Sequence, residues 1–275
     1  MVPLLTSQEI SRLSPLLRGR VGGALVRVAM RVLKVERANA LYERHAHLRG
    51  PAFAGSVLRD LGVCYHASGW TAVEALVPSQ PFITISNHPY GGLDGLILAD
   101  LFGHYRADYR IMANQLLARV EALAPTLISV SPIGAERAAS TADSVAGVRR
   151  ALQHLRRGGA LGLFPAGAVS DLHVRHRAVY DRAWPLPIVR LIAKACVPIL
   201  PVRFVDGNSW FYYALGLIHW RVRLLRLPAE LFNKRGRPMR LVVGRVVTVA
   251  EQQAYLATHD LESYGLWLRS KVYAE

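Results

Sequence analysis

The segment Ser86–Gly95 combines a histidine, an aspartate and a pair of glycines at a spacing that suits acid–base chemistry. His88 follows an apolar run that predicts a strand, and Asp94 falls in the first turn of a predicted helix. The Gly91-Gly92 pair lets the loop between them fold back. The Asp94 carboxylate can then accept a hydrogen bond from one ring nitrogen of His88, which leaves the other nitrogen to take up a proton. We therefore predict that His88 is a general base and that Asp94 orients it.

Two further segments stand where a strand of an α/β protein would end or begin. Phe164–Ser170 follows a second predicted strand and contains a Pro-x-Gly step that allows a ligand to approach the backbone closely. Val197–Val202 reads as a strand that begins with Pro198. Each segment alone fits an ordinary turn or strand, so the two segments indicate a function only together with Ser86–Gly95 and in this order along the chain.

The elements that must position these residues alternate between short apolar runs and helical periods. Strands are predicted at 81–86, 109–112, 127–131, 160–164, 198–204 and 240–247, with helices near 93–101, 115–123, 145–155, 186–195 and 261–272. This alternation predicts an α/β fold with a mainly parallel central sheet flanked by helices. Residues 1–75 are predicted to form an N-terminal helical extension at a membrane surface, and residues 76–275 the domain that carries the chemistry.

The net charge of the chain limits the classes of binding partner that it favours. With 34 Lys and Arg against 19 Asp and Glu, the net charge is +15, which favours nucleic acid or an anionic membrane. Arg20, Arg27, Arg31 and Lys34 form one stripe beside a broad apolar face, as in an interfacial helix. A docked helix with a solvated basic face fits the same pattern equally well.

Three sequence features bear on the compartment. Met1–Leu5 lacks the charged start of a secretory signal, so no signal peptide is expected. No uncharged apolar run reaches the ~18 residues needed to span a bilayer, so the chain is expected to sit on a membrane rather than cross it. Cys64 and Cys196 stand in apolar surroundings without a CxxC pattern, which predicts two buried free thiols in a reducing compartment.

Taken in order, the three motifs resemble those of the glycerolipid acyltransferase superfamily, which includes the lysophosphatidate acyltransferases. That superfamily carries Asn-His-(x)4-Asp, Phe-Pro-Glu-Gly-Thr-Arg-Ser and a late Val-Pro-Ile/Val-x-Pro-Val strand. Within it, Ser86–Gly95, Phe164–Ser170 and Asn233–Arg237 are similar to a haemolysin-like bacterial branch that includes acyltransferases making ornithine- and glycine-type lipids. The resemblance spans about residues 80–250.

The resemblance implies an O-acyltransferase that moves a fatty acyl group from acyl-CoA or acyl carrier protein to the hydroxyl of a lysolipid. It implies direct attack without an acyl-enzyme, no cofactor, no metal, and a peripheral position on the cytoplasmic face of the inner membrane. His173-x-x-His176 lacks a clear third ligand and is not predicted to bind metal. The residues predicted to bind substrate are Asn87, Phe164, Pro165, Gly167, Ser170, Arg137 and Arg175.

Two departures from the superfamily pattern carry expectations of their own. Five residues instead of four separate His88 from Asp94, and we expect the extra residue to bulge at Gly91-Gly92. Ala166 and Val169 occupy the positions of the Glu and Arg that the superfamily links to a phosphate-bearing acceptor. Arg137, Arg175 or Arg177 would have to replace that charge. We therefore expect a lyso-aminolipid or another lysolipid as acceptor rather than lysophosphatidate.

The sequence also bears on three other function classes. A hydrolase would need a Gly-x-Ser-x-Gly elbow, which the sequence lacks. A nucleic-acid binder fits the charge, but the chain has no zinc finger and no interleaved basic and aromatic pattern, so no nucleic-acid partner is predicted. A catalytically inactive lipid-binding relative is allowed by the altered spacing and stays open as the alternative.

Overall fold

The structure is a computed structural model. It describes residues 23, 27, 28, 30–74, 76, 80–114, 117, 120–130 and 141–274. The predicted substrate-binding residue Arg137 lies outside these residues, as do Arg20 and four of the nine residues of the predicted helix at 115–123.

Nine strands are present in the described part of the chain, together with ten α-helices. The strands are β1 (Tyr65–Ser68), β2 (Phe82–Ser86), β3 (Arg110–Asn114), β4 (Leu127–Val130), β5 (Ala160–Leu163), β6 (Asp171–His173), β7 (Ala178–Tyr180), β8 (Ile199–Phe204) and β9 (Met239–Val243). The helices are α1 (Val35–His45), α2 (Gly50–Leu61), α3 (Thr71–Glu74), α4 (Leu93–Tyr105), α5 (Thr141–Arg156), α6 (Leu186–Ala195), α7 (Trp210–Ile218), α8 (Trp220–Phe232), α9 (Val249–Leu256) and α10 (Leu261–Tyr273).

The main sheet has seven strands in the order β1-β9-β8-β2-β5-β3-β4. Strands β8, β2, β5, β3 and β4 run parallel to one another, whereas β9 is antiparallel to β8 and parallel to β1. The predicted α/β fold with a mainly parallel sheet is confirmed. The carboxyl ends of β2, β5 and β8 therefore meet at one edge, and this edge carries the loops of the first two sequence motifs. The third motif, Val197–Val202, leads into β8 and forms its first four residues.

Helices cover both faces of this sheet because the central strands are apolar on both sides. All five residues of β2 are buried. Phe82 packs in one cluster with Phe53 of α2 and Phe102 of α4. Ile83 points to the opposite face and packs with Leu268 of α10. Successive side chains of a strand point to opposite faces of the sheet, so the apolar residues of β2 pack against the helices on both faces.

The N-terminal region departs from the prediction in two places. Residues 1–75 are not wholly helical, because Tyr65–Ser68 form β1 and extend the sheet beside β9. The helical pattern over 20–37 is interrupted at Leu33–Lys34, where Lys34 adopts a left-handed conformation with φ 57°. Since α2 and β1 share the core of the sheet, the packing of that core crosses residue 75.

Two smaller predictions also differ from the structure. Cys64 and Cys196 are exposed, not buried, because one precedes the edge strand β1 and the other caps the end of α6. The antiparallel pair β6–β7 was not predicted from the sequence. Among the described residues, no helix is both long enough and apolar enough to cross a bilayer.

Candidate active site

The site is centred on His88, which follows the last residue of β2. Its ring Nδ1 lies 2.9 Å from Oδ2 of Asp94 in the first turn of α4. The His88 side chain is 16% exposed, whereas Asp94 is fully buried. Among the described residues, nothing bonds Nε2 of His88. The bond to Asp94 therefore fixes the proton on Nδ1 and leaves Nε2 as the ring's proton acceptor.

The Asp94 carboxylate is held by backbone donors as well as by the imidazole. Oδ2 accepts hydrogen bonds from the N–H groups of Tyr90 at 3.0 Å and Gly91 at 3.2 Å, and Oδ1 accepts from Gly95 at 3.1 Å. These donors surround the amino-terminal end of α4, where the helix dipole favours a negative charge. The carboxylate is thereby held in one orientation inside the protein.

Gly91 accommodates the additional residue in the loop between His88 and Asp94. It has φ 82°, in the region that favours glycine. A Cβ atom added there would lie 2.9 Å from side-chain atoms of both Leu227 and Val169. The expected bulge at the glycine pair is thus present, and the five-residue spacing still brings His88 and Asp94 into hydrogen-bond contact.

The second motif forms the opposite wall of the site. The Phe164 ring stacks on the His88 ring with their centroids 4.1 Å apart. Ser170 N–H donates to the His88 carbonyl at 3.0 Å, which joins the two loops directly. Gly167 has φ 66°, and its N–H donates to the Phe164 carbonyl within the turn, so this N–H is already used. The structure therefore brings Phe164, Gly167 and Ser170 to the His88 loop.

Asp181 is a buried acid of the site that the sequence analysis missed. It is 1% exposed, and its Oδ1 accepts hydrogen bonds from the Ser170 hydroxyl at 2.5 Å and from the His88 N–H at 3.2 Å. Its own backbone is held by Tyr273 Oη and by Arg269 of α10. Asp181 thus connects both loops to the C-terminal helix without touching the imidazole ring.

The acids around His88 determine how readily its ring takes up a proton. Burial alone lowers the pKa of His88, but the charge of Asp94, its hydrogen bond to Nδ1 and the charge of Asp181 together raise this pKa above its ordinary value. Burial also raises the pKa of Asp181, against the hydrogen bonds from Ser170 and His88. The imidazolium of His88 is therefore stabilised in the site, as a base that must hold a proton transiently requires.

The remaining predicted residues lie at different distances from this chemistry. The Asn87 amide bonds the backbone of Phe204 through both its nitrogen, at 2.9 Å, and its oxygen, at 2.7 Å, and so joins the ends of β2 and β8. Pro165 is buried, and Arg175 is exposed in a 3-10 turn between β6 and β7. The predicted contacts of Asn87, Pro165 and Arg175 with substrate remain predictions.

Arg223 of α8 holds the second loop from behind. Its guanidinium donates to the carbonyls of Val169 at 2.9 Å and Ser170 at 3.1 Å, and it pairs with Asp171 at 2.7 Å. Arg223 is 3% exposed, so its guanidinium makes these contacts inside the protein.

Ala166 and Val169 are buried and uncharged. Within the described residues, no group of His, Cys, Asp and Glu side chains is arranged to hold a metal ion.

The chain is similar to known acyltransferases in its sequence. A family model described as acyltransferase matches residues 9–274. The lyso-glycine lipid O-acyltransferase of Bacteroides thetaiotaomicron is 27% identical over 183 residues, which cover 64% of each chain. The protein of the same name from Phocaeicola vulgatus is 28% identical over 171 residues, 59% of this chain and 58% of that one. The matched region thus spans less than two thirds of either relative.

A solved structure is also similar. The 1-acyl-sn-glycerophosphate acyltransferase PlsC from Thermotoga maritima aligns with a TM-score of 0.45 and 15% sequence identity, over 81% of this chain and 82% of that chain.

Proposed function

Because the chain belongs to the acyltransferase family, we propose that it transfers a fatty acyl group from an acyl thioester to the hydroxyl of a lysolipid. The observation that carries the proposal is the 2.9 Å contact between His88 Nδ1 and Asp94, with Nε2 left as the proton acceptor. The names of the two lyso-glycine lipid O-acyltransferases support a lysolipid acceptor. The thioester is acyl-CoA or acyl-acyl carrier protein.

In the proposed reaction, Nε2 of His88 takes the proton of the acceptor hydroxyl while the hydroxyl oxygen attacks the thioester carbonyl carbon. Asp94 stabilises the imidazolium that forms. The tetrahedral intermediate then collapses, the carbon–sulfur bond breaks, and His88 returns the proton to the departing thiolate. The acyl group passes directly to the acceptor, and no acyl-enzyme forms.

We propose a lyso-aminolipid, of the glycine or ornithine type, as the acceptor in preference to lysophosphatidate. The buried residues Ala166 and Val169 supply no charge to a phosphate. The guanidinium of Arg223, which lies beside their loop, is occupied by Val169, Ser170 and Asp171. An uncompensated phosphate near this loop would lose its hydration without gaining a charged partner.

The acceptor and the donor together set the proposed location. A lysolipid lies in a bilayer, and acyl thioesters are made in the cytosol. We propose that the protein binds peripherally to the cytoplasmic face of the inner membrane. Its net charge of +15 favours an anionic leaflet.

Thiol release from acyl-CoA and from acyl-acyl carrier protein tests the function. We expect release that depends on lyso-glycine or lyso-ornithine lipid and exceeds release with lysophosphatidate by about tenfold at equal surface density. A preference for lysophosphatidate would contradict the acceptor assignment. Binding of lysolipid without acyl transfer from either donor would instead identify an inactive lipid-binding relative.

A further inference from the structure

The helices α7 and α8 form a hairpin that carries large apolar side chains into solvent. Ile218, at the end of α7, is 75% exposed, and Trp210, at its start, is 64% exposed. The exposed apolar residues of the hairpin include Trp210, Phe211, Leu217, Ile218, Val222 and Leu225. We call these six the outer face. Several large apolar side chains exposed on one helical hairpin indicate a binding surface in a folded protein.

The outer face belongs to an element that is firmly packed on its other side. Tyr212 and Tyr213 of α7 are buried against the second loop. The Ser209 hydroxyl, which caps α7, donates to buried Glu230 of α8 at 2.8 Å, and the Ser209 N–H donates to the same carboxylate at 3.0 Å. The exposure of the outer face is therefore a property of a fixed hairpin, and it does not come from an unpacked segment.

The inner side of this hairpin touches both loops of the proposed active site, His88–Asp94 and Phe164–Ser170, which we call the catalytic loops. Leu227 packs so close to Gly91 that a Cβ atom there would lie 2.9 Å from it. Arg223 bonds the carbonyls of Val169 and Ser170. Whatever binds the outer face is consequently one helix layer away from the loop that holds His88.

The chemistry of the hairpin and its surroundings fits a lipid surface. Tryptophan at the edge of an apolar face is typical of the water–lipid boundary. The guanidinium of Arg226 lies 5.2 Å from the ring of Phe211, and the exposed residues Arg235 and Arg237 follow α8. Apolar side chains flanked by arginines suit the headgroup region of an anionic bilayer.

We propose that the outer face of the α7–α8 hairpin inserts into the headgroup–acyl boundary of an anionic bilayer and so brings the catalytic loops to the lipid. The choice of lipid as partner rests on the proposed acyl transfer to a lysolipid. The hairpin would then act as the docking element that delivers membrane-resident acceptor to His88.

The test compares the full chain with the double variant Leu217→Ser/Ile218→Ser in vesicle co-sedimentation. The vesicles contain phosphatidylcholine and phosphatidylglycerol, and high salt screens the electrostatic part of binding. We expect binding to weaken at least about tenfold, because two large apolar side chains no longer leave water. The matched control is Val145→Ser/Leu266→Ser, which alters two residues that are 51% and 56% exposed on α5 and α10, and it should bind as the parent does.

A second measurement identifies the inserted residue. Quenching of tryptophan fluorescence by brominated lipids should fall in Trp210→Phe relative to the parent, because Trp210 is expected to lie in the bilayer. Parental binding by Leu217→Ser/Ile218→Ser would overturn the proposal and leave the outer face to a protein partner. Unchanged quenching in Trp210→Phe would also overturn it.

One assay separates this proposal from the proposed function. Acyl transfer to a short-chain lysolipid dispersed as monomers should proceed at the parental rate in Leu217→Ser/Ile218→Ser, since the variant leaves His88 and Asp94 in place. If the parent itself transfers nothing to any acceptor, the proposed function fails, while the vesicle result still decides the docking face.

Discussion

The catalytic loops and the outer face of the α7–α8 hairpin lie on the two sides of the same helices and differ in how their side chains are satisfied. On the inner side, Asp94 is fully buried and accepts bonds from the His88 ring and three backbone N–H groups. On the outer side, Ile218 is 75% exposed and Trp210 is 64% exposed. On the inner side the polar groups of Asp94 have hydrogen-bond partners within the chain, whereas the outer side presents apolar surface to solvent.

This difference separates two requirements of the proposed reaction. Proton transfer needs groups fixed in advance, because each hydrogen bond already made costs no reorganisation during the reaction. Docking needs apolar surface that leaves water only when a partner arrives. Changes on the inner side should therefore affect rate and stability, and changes on the outer side should affect membrane binding.

The largest effect is expected from Asp94→Asn. An amide in place of the carboxylate removes the charge that stabilises the imidazolium and permits the wrong tautomer of His88. We expect acyl transfer to fall by about 10²-fold or more in a folded protein. Thiol release under saturating substrates measures it, with the thermal unfolding midpoint as the folding control. A rate within a few-fold of the parent would show that Asp94 only completes the loop.

A smaller loss is expected in stability from Gly91→Ala. The positive φ and the close approach of Leu227 and Val169 leave no room for a methyl group. The free energy of unfolding should fall by about 1–3 kcal/mol in urea denaturation. Gly95→Ala is the matched control, because a Cβ there meets nothing within 4 Å, and its stability should change by less than about 1 kcal/mol. Equal stability of both variants would contradict the tight fit at Gly91.

Asp181→Asn should lower the maximal rate by up to about tenfold and change its pH dependence. Because Asp181 contributes to raising the pKa of His88, removing its charge lowers that pKa. The base is active when neutral, so the acidic limb of the rate profile should move to lower pH. A merely structural role would leave that limb in place.

The control for Asp181→Asn is Asp108→Asn. Asp108 precedes β3 at the opposite edge of the sheet and pairs with Arg106. Neutralising it removes one carboxylate from the chain without altering the groups around His88. The pH profile of this control should match that of the parent.

The smallest effect is expected from the N-terminal basic stripe. The Lys34 ammonium lies 5.9 Å from the centre of the Phe232 ring and so contacts the folded domain. The expected contribution to membrane binding therefore comes from the other three residues of the stripe. Replacing Arg20, Arg27 and Arg31 with Gln should weaken binding to anionic vesicles a few-fold, up to about tenfold, at low salt. Phosphatidylcholine vesicles should show little change, and so should high salt. Unchanged binding at low salt would assign the stripe to an ordinary solvated face.

The sequence predicted those parts of the site that are encoded locally. Five residues separate His88 from Asp94, and a strand, a glycine pair and a helix start place the two side chains together through local geometry alone. The parallel sheet was predictable from another local signal, since short apolar runs alternate with helical periods along the chain.

The parts that depend on distant contacts were not predictable. Asp181 reaches His88 across 93 positions of the chain, through two strands of three residues each whose residues are all only partly buried. Arg223 reaches the second loop from a helix that itself reads as arginine-rich and exposed. The edge strand β1 has only four residues, which alternate between partly buried and exposed and include polar ones, so the sequence predicted helix there and no strand.

The exposed cysteines illustrate the same limit. Cys64 and Cys196 have apolar neighbours in the sequence, but each lies at a junction between elements. Cys196 adopts φ 51° at the end of α6, where its side chain turns outward to Gln253. The polarity of the neighbouring residues predicts the burial of a side chain better within a helix or strand than at its ends.

The most direct test of the proposed chemistry is acyl transfer by His88→Ala. We expect the rate of thiol release with lyso-glycine or lyso-ornithine lipid to fall by at least about 10²-fold while the unfolding midpoint and vesicle binding stay near those of the parent. His104→Ala is the control, because His104 also faces an aspartate, Asp100, at 3.2 Å but is 60% exposed, and it should transfer at the parental rate. Near-parental turnover in folded His88→Ala would contradict the account.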